Sequence, residues 1–193
     1  MNDDLSLELS NYAGLIATVV LTFNFLLGML LATAYKRSIY WKKLPAWLQQ
    51  LDINDLHNWT AYVALLLVVM HAMFLVGDKA SKFTYSHIFY PFNAPTQPFA
   101  VTLGSFGLYA LLIVIITTQK AIKKRISFRL WKNIHLISYG MAVLFVVHGT
   151  ILDQHLKDGP VDYFDGEKVL SEACGLLLVA ATVVRYRYHA RKG

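Results

Sequence analysis

Cysteine and charged residues are scarce in this sequence of 193 residues, and both shortages exclude classes of protein. Cys174 is the single cysteine, so neither an intrachain disulfide nor a cysteine-held iron–sulfur or zinc cluster can form. Charged residues make up 16% of the chain and hydrophobic residues 56%. A soluble domain of this size needs more polar surface than that. The composition therefore predicts a chain that folds in a lipid bilayer.

Long stretches without charge locate the membrane spans, because a helix needs about 20 apolar residues to cross the hydrocarbon. The third stretch is shortened by Pro91, Pro95 and Pro98, and the fifth carries Glu172 and Arg185 near its ends. We expect an all-α membrane protein, a bundle of about five transmembrane helices in a single domain over residues 1–193. The predicted helices cover residues 10–35, 56–77, 99–119, 131–152 and 169–188.

The basic residues predict the orientation, since Lys and Arg collect in cytoplasmic loops. With the N-terminus outside and the C-terminus in the cytoplasm, 14 of the 18 basic residues lie inside: Lys36, Arg37, Lys42, Lys43, Lys120, Lys123, Lys124, Arg125, Arg129, Lys132, Arg185, Arg187, Arg191 and Lys192. The net charge of +6 then reflects topology and not nucleic-acid binding. We predict a multi-pass protein of the cell membrane that is surrounded by membrane lipids. In bacteria this is the inner membrane.

Four of the seven histidines lie inside predicted spans, where ionisable residues are rare and indicate function. His57 and His71 are 14 residues apart in the second helix, and His135 and His148 are 13 apart in the fourth. Each spacing corresponds to about 20 Å along a helix. Because the two helices run in the same direction, the histidines form an inner level (His57, His135) and an outer level (His71, His148).

Two imidazoles from facing helices can ligate a haem iron axially, so two levels suggest two stacked haems. The chain has no Cys-x-x-Cys-His motif, which favours non-covalent haem b. A metal ion without porphyrin, a proton relay, and histidines that only pack remain alternatives. On an ideal helix, 13 residues leave His135 and His148 about 140° apart. Helix bending, a local irregularity or haems approached from different sides must absorb this difference.

The histidine pattern resembles the ferric reductase-like transmembrane domain family, which includes NADPH oxidases, ferric reductases and the haem-binding membrane subunit of a periplasmic methionine sulfoxide reductase system. The resemblance covers roughly residues 9–185 and rests on His57-x13-His71, His135-x12-His148, the run Ser127-Phe-Arg-Leu-Trp-Lys-Asn-Ile-His135-Leu-Ile-Ser-Tyr139, and Gly107-Leu-Tyr-Ala-Leu-Leu. It implies bis-histidine ligation of two b haems, by His57 with His135 and by His71 with His148. Family members often carry a basic residue after the first ligand of each pair, where this chain has Asn58 and Leu136.

The resemblance implies an oxidoreductase component that passes electrons from a cytosolic flavoprotein reductase or a membrane quinol to an outer acceptor. Ferric iron, oxygen and a periplasmic protein are the candidate acceptors. The alternatives are the membrane subunit of a methionine sulfoxide reductase-type system and, in another class, a non-redox scaffold or channel. The chain lacks a G-x-G-x-x-G motif, so we expect FMN or FAD to act in a partner or at the membrane face.

Haem propionates need positive or hydrogen-bonding partners, and we predict Asn58, Arg129, Trp131 and Lys132 for this role at the inner level. The alternative is that Arg129 and Lys132 only set the topology beside an aromatic belt. On the outer side, an acidic loop that begins at Asp153 is expected either to attract ferric ion or to be simply solvated. The roles of the outer histidines His87 and His155 stay open.

Overall fold

The computed structural model describes residues 3–33, 35–152 and 162–190, and every long element within them is an α-helix. Five of these helices are long and apolar enough to cross a membrane: α1 (Asp3–Leu31), α2 (Ile53–Gly77), α3 (Pro98–Thr118), α4 (Phe128–Ile151) and α5 (Gly166–Ala190). The predicted all-α architecture with five transmembrane helices is confirmed. The chain is a multi-pass membrane protein.

Polar capping residues explain why some helices begin earlier than their apolar stretches predict. Asp52 precedes α2, and its carboxylate accepts the backbone N–H groups of Asn54 and Asp55 at 2.9 and 3.2 Å. Ser127 precedes α4, and its hydroxyl accepts the N–H of Leu130 at 3.2 Å. Such caps satisfy backbone donors that the first turn leaves unpaired. Helix boundaries are therefore set by polar residues outside the apolar stretch.

Helix α1 organises the bundle, because it packs along the length of α2 and also contacts α5. Helix α3 packs along α4, and α5 lies against both α1 and α4. Among the described residues, α2 and α4 share no extended backbone packing, so the two histidine-bearing helices meet mainly through side chains. The buried apolar core joins all five helices: Ala17, Leu21, Phe25, Met29, Ala64, Val68, Leu108, Leu111, Ile115, Met141 and Leu178.

The segment between α2 and α3 is folded against the bundle. Its single-turn helix Tyr85–Phe89 lies next to α3, where the Tyr109 hydroxyl donates a hydrogen bond to the carbonyl oxygen of Ile88. Asp78, which is buried, holds the turn after α2 by accepting the N–H groups of Ala80 and Ser81 at 3.2 and 3.0 Å. These contacts place the segment beside the end of α2 that carries His71.

Candidate functional site

The four intramembrane histidines form two pairs between α2 and α4. The ring centres of His57 and His135 are 6.2 Å apart, with an angle of 77° between the ring planes. The ring centres of His71 and His148 are 6.3 Å apart, with an angle of 81°. Each pair takes one residue from each helix, so the structure brings together the rings that share a level in the sequence analysis.

Helix α1 holds both histidines of α2 through the same reciprocal pair of hydrogen bonds. His57 donates from Nδ1 to the carbonyl oxygen of Asn24 at 3.1 Å, and the Asn24 amide donates back to the His57 carbonyl at 2.6 Å. His71 donates from Nδ1 to the carbonyl oxygen of Ser10 at 2.8 Å, and the Ser10 hydroxyl donates back to the His71 carbonyl at 2.8 Å. A carbonyl oxygen can only accept, so both neutral rings carry their proton on Nδ1 and keep a lone pair on Nε2.

A glycine on α1 gives each imidazole access to its carbonyl. In an α-helix the carbonyl of residue i bonds the N–H of residue i+4, whose side chain therefore lies beside that oxygen. Gly14 follows Ser10 by four residues, and a Cβ on Gly14 would lie 3.0 Å from Nδ1 of His71. Likewise, a Cβ on Gly28 would lie 3.1 Å from Cε1 of His57. The glycines leave the space that the imidazole rings occupy.

Helix α3 supports His148 in the same way, whereas His135 has a different support. His148 donates from Nδ1 to the carbonyl oxygen of Ala100 at 2.7 Å, and a Cβ on Gly104 would lie 2.8 Å from its Cε1. The Nδ1 atom of His135 is buried and has no hydrogen-bond partner. Its ring instead stacks on Trp131, with 5.3 Å between ring centres and 16° between planes.

The different supports explain how α4 accommodates a 13-residue spacing. Helix α4 is α-helical from Phe128 to Ile151, so no break in its hydrogen bonding rotates one histidine towards the other. The 14-residue spacing on α2 allows α1 to accept hydrogen bonds from both histidines of α2. On α4, His148 is supported by a carbonyl of the neighbouring helix α3, and His135 is supported by Trp131 of α4 itself.

The outer pair lines a cavity that is partly open to the surroundings. All five helices and the segment after α2 contribute to its walls. Lys168, on the first turn of α5, lines this cavity although only 3% of its surface is exposed. His87 also lines it, and Nδ1 of His87 accepts the N–H of Thr84 at 3.1 Å, which leaves its ring proton on Nε2. A buried cation and a polar imidazole thus face the space beside the outer pair.

Two cations that the sequence analysis did not select lie near the inner pair. Lys123 places its Nζ 4.0 Å from the ring centre of Trp131. Arg185, on α5, lies over the Tyr139 ring at 5.5 Å and donates a hydrogen bond to the Tyr139 hydroxyl. Both cations act electrostatically on His135. The inner pair therefore has cations near it from two parts of the chain, the connection before α4 and helix α5.

Of the four residues predicted to bind the cofactor, Trp131 is the one placed in contact with a site histidine. Asn58, Arg129 and Lys132 are exposed, and no described contact joins them to either histidine pair. His155 and the acidic loop from Asp153 lie outside the described residues.

The residues of α1 that support the histidines were missed, although the sequence contains a signal for them. Ser10 and Asn24 are 14 residues apart, and so are Gly14 and Gly28. This is also the spacing of the two histidines on α2. A repeated spacing in two neighbouring helices could have identified the supports before the structure was known.

A bare metal site is not favoured by the donor set. Among residues 3–33, 35–152 and 162–190, no group of three or more His, Cys, Asp or Glu side chains could hold a metal ion. A metal between either pair would therefore need its remaining ligands from another molecule, such as the four nitrogens of a porphyrin.

The family model described as "Ferric reductase like transmembrane component" matches residues 13–146, more than half of the chain. The chain belongs to this family. The matched part of this ferric reductase-like domain includes three of the four paired histidines and ends two residues before His148. Domains of the family generally bind haem, and membership indicates membrane electron transfer with redox partners such as a flavin reductase. Comparisons with curated proteins and with solved structures find no significant match.

Proposed function

We propose that this ferric reductase-like domain, over residues 1–193, carries two b haems, one at each histidine pair, and passes electrons through them across the membrane. One observation carries the proposal: two pairs of facing imidazoles lie at two levels between α2 and α4. In three of the four rings, a backbone carbonyl accepts a hydrogen bond from Nδ1–H, which leaves the lone pair of Nε2 available to bind a metal.

The spacing of the rings fits a metal held between them. Two metal–nitrogen bonds of about 2 Å, with about 1 Å from each nitrogen to its ring centre, give about 6 Å between ring centres. The two pairs have 6.2 and 6.3 Å. A haem bound there would supply one-electron redox chemistry. His57 and His135 would hold the inner haem, and His71 and His148 the outer one.

Cations at each level are suited to the propionate carboxylates of such a group. At the outer level the buried Lys168 faces the cavity that His71 and His148 line. At the inner level Lys123 and Arg185 lie near His135, and the buried indole N–H of Trp131 has no hydrogen-bond partner. We place these groups ahead of Asn58, Arg129 and Lys132, which no described contact joins to either histidine pair.

The charge distribution supports an orientation with the N-terminus outside and the His57 level nearer the cytoplasm. Electrons would enter at that level from a cytosolic flavoprotein reductase or a membrane quinol, and FMN or FAD would act in the partner or at the membrane face. They would leave at the His71 level to ferric iron, oxygen or a periplasmic protein. In a bacterium, a domain with this orientation and these partners would lie in the inner membrane. The membrane subunit of a methionine sulfoxide reductase-type system would use the same haem pairs and differ in its partner.

Haem content tests the proposal directly. Purified protein should show a Soret band, sharp low-spin haem b bands after dithionite reduction, and two haems per chain. Replacement of either inner ligand (His57→Ala, His135→Ala) should remove one haem, and replacement of either outer ligand (His71→Ala, His148→Ala) should remove the other. His87→Ala, which removes a nearby histidine outside the pairs, should keep both.

Double variants separate the two levels. A variant that lacks both His57 and His135 should lose the same single haem as either substitution alone, whereas one that lacks His57 and His71 should lose both. A preparation that stays colourless when haem is supplied would contradict electron transfer through haem and favour a scaffold or channel whose histidines only pack.

A further inference from the structure

His135 is supported differently from the other three paired histidines. The others donate from Nδ1 to a backbone carbonyl, whereas Nδ1 of His135 is buried without a partner. Trp131, one turn earlier on α4, stacks on its ring at 5.3 Å and 16°. The Nζ atom of Lys123 lies over the Trp131 ring, 4.0 Å from its centre. The three side chains form a column that leads from the α3–α4 connection to the inner pair.

We propose that this Lys123–Trp131–His135 column raises the reduction potential of the inner haem. The inference rests on the proposed function, because it requires a haem between His57 and His135. Reduction adds one electron to the iron and converts Fe(III) to Fe(II), so the charge of the site falls by one. Any feature that favours the lower charge raises the potential.

The missing hydrogen bond at Nδ1 is the first such feature. A hydrogen bond from Nδ1–H to an acceptor increases the basicity of a ligand imidazole, which favours the more positive oxidation state. His57 has such a bond to Asn24, and both outer histidines have one. His135 has none, so it is the weakest electron donor of the four.

The charge of Lys123 is the second feature. The ammonium group of Lys123 can only donate hydrogen bonds, and so can Nδ1–H of a metal-bound His135. The two groups therefore cannot hydrogen-bond to each other, and Lys123 acts through its electric field. The flat face of Trp131 attracts the ammonium group. It also stacks on His135, so the indole ring fills part of the space between His135 and the exposed Lys123 and replaces water there, which would screen the field more strongly. Trp131 thereby keeps the cation close and limits rotation of the His135 ring.

Optical redox titration of the two-haem protein tests the column, with dithionite as the reductant and the outer haem as an internal reference. Lys123→Gln should lower the equilibrium constant for reduction of one haem about tenfold, which is about 59 mV for one electron. Lys123→Arg should retain the wild-type potential, because it keeps the charge and the contact with the ring. Lys124→Gln, at an exposed neighbouring lysine, is the matched control and should not shift the reduction potential of either haem by a comparable amount.

Substitution of the indole separates its two contributions. Trp131→Phe should change the reduction potential of the inner haem little, since a stacked ring remains. Trp131→Leu should lower that potential and change the electron paramagnetic resonance spectrum of the same haem. Equal shifts in Lys123→Gln and Lys124→Gln, or no shift in Lys123→Gln, would overturn the column while leaving the haem pairs intact. Wild-type protein that shows no haem titration at all would instead overturn the proposed function, and the column with it.

Discussion

A methyl group added at Gly104 would test whether the backbone of α3 supports the outer pair. The new Cβ would lie 2.8 Å from Cε1 and 2.9 Å from Nδ1 of His148. These distances are shorter than ordinary carbon contacts of about 3.5–4.0 Å, so the ring must move by about 1 Å. The hydrogen bond to the Ala100 carbonyl, now 2.7 Å long, would then pass beyond the usual range.

The expected effect on stability is small, whereas the effect on haem affinity is large. Loss of a neutral hydrogen bond costs about 1 kcal/mol, and the replacement of a helical glycine by alanine contributes about 1 kcal/mol in the opposite direction. The free energy of unfolding of the haem-free protein should therefore change little. Loss of an outer-shell partner of a metal ligand reduces metal affinity about 10–100-fold, and we expect that loss for the outer haem alone.

Haem titration of the apoprotein in lipid nanodiscs, followed at the Soret band, measures this difference, and thermal unfolding measures stability. Gly140→Ala is the matched control, because it also lies in a membrane-spanning helix and a Cβ there would meet nothing within 4 Å. It should have the same haem affinity at both proposed sites as the wild type. If Gly104→Ala also bound both haems with wild-type affinity, the support of His148 by the α3 carbonyl would be refuted.

Two further predictions concern the same pairs. The ring planes in each pair are nearly perpendicular, at 77° and 81°. Ferric haems bound at the two pairs should therefore give strongly anisotropic low-spin electron paramagnetic resonance spectra. Spectra typical of parallel imidazoles would contradict the ring geometry. Lys168→Met should weaken retention of the outer haem about a hundredfold or more, as expected when one partner of a buried ion pair is removed at a cost of about 3 kcal/mol, and leave the inner haem unchanged. Lys79→Met, at an exposed lysine near the same end of α2, should have no effect on haem retention.

The sequence predicted the parts of the fold that depend on hydrophobicity and helix rise. Charge-free stretches located four of the five spans, because a bilayer excludes charge whatever the tertiary packing, and the fifth was predicted although Glu172 and Arg185 lie near its ends. The two levels followed from the rise per residue, which is nearly constant in helices. The spacing and the shared direction of the two helices could thus place His57 opposite His135, and His71 opposite His148.

The supporting contacts were harder to predict because many of them use backbone atoms. The acceptor for His148 is the carbonyl of Ala100, and any residue could supply it. The inner cations depend on tertiary packing: Arg185 comes from α5, far along the chain from His135. Proximity in the sequence favoured Arg129 and Lys132, which are exposed and have no described contact with the pair.

The 14-residue spacing of the supporting residues in α1 sets how many residues separate the two histidine levels. Ser10 and Asn24 support His71 and His57 from an antiparallel helix, and both helices use a spacing of 14 residues, about 21 Å. One extra residue between the two supports in α1 would turn one of them away by about 100°. The distance between the two histidine levels can therefore lengthen or shorten only when both helices change together, in steps close to a heptad.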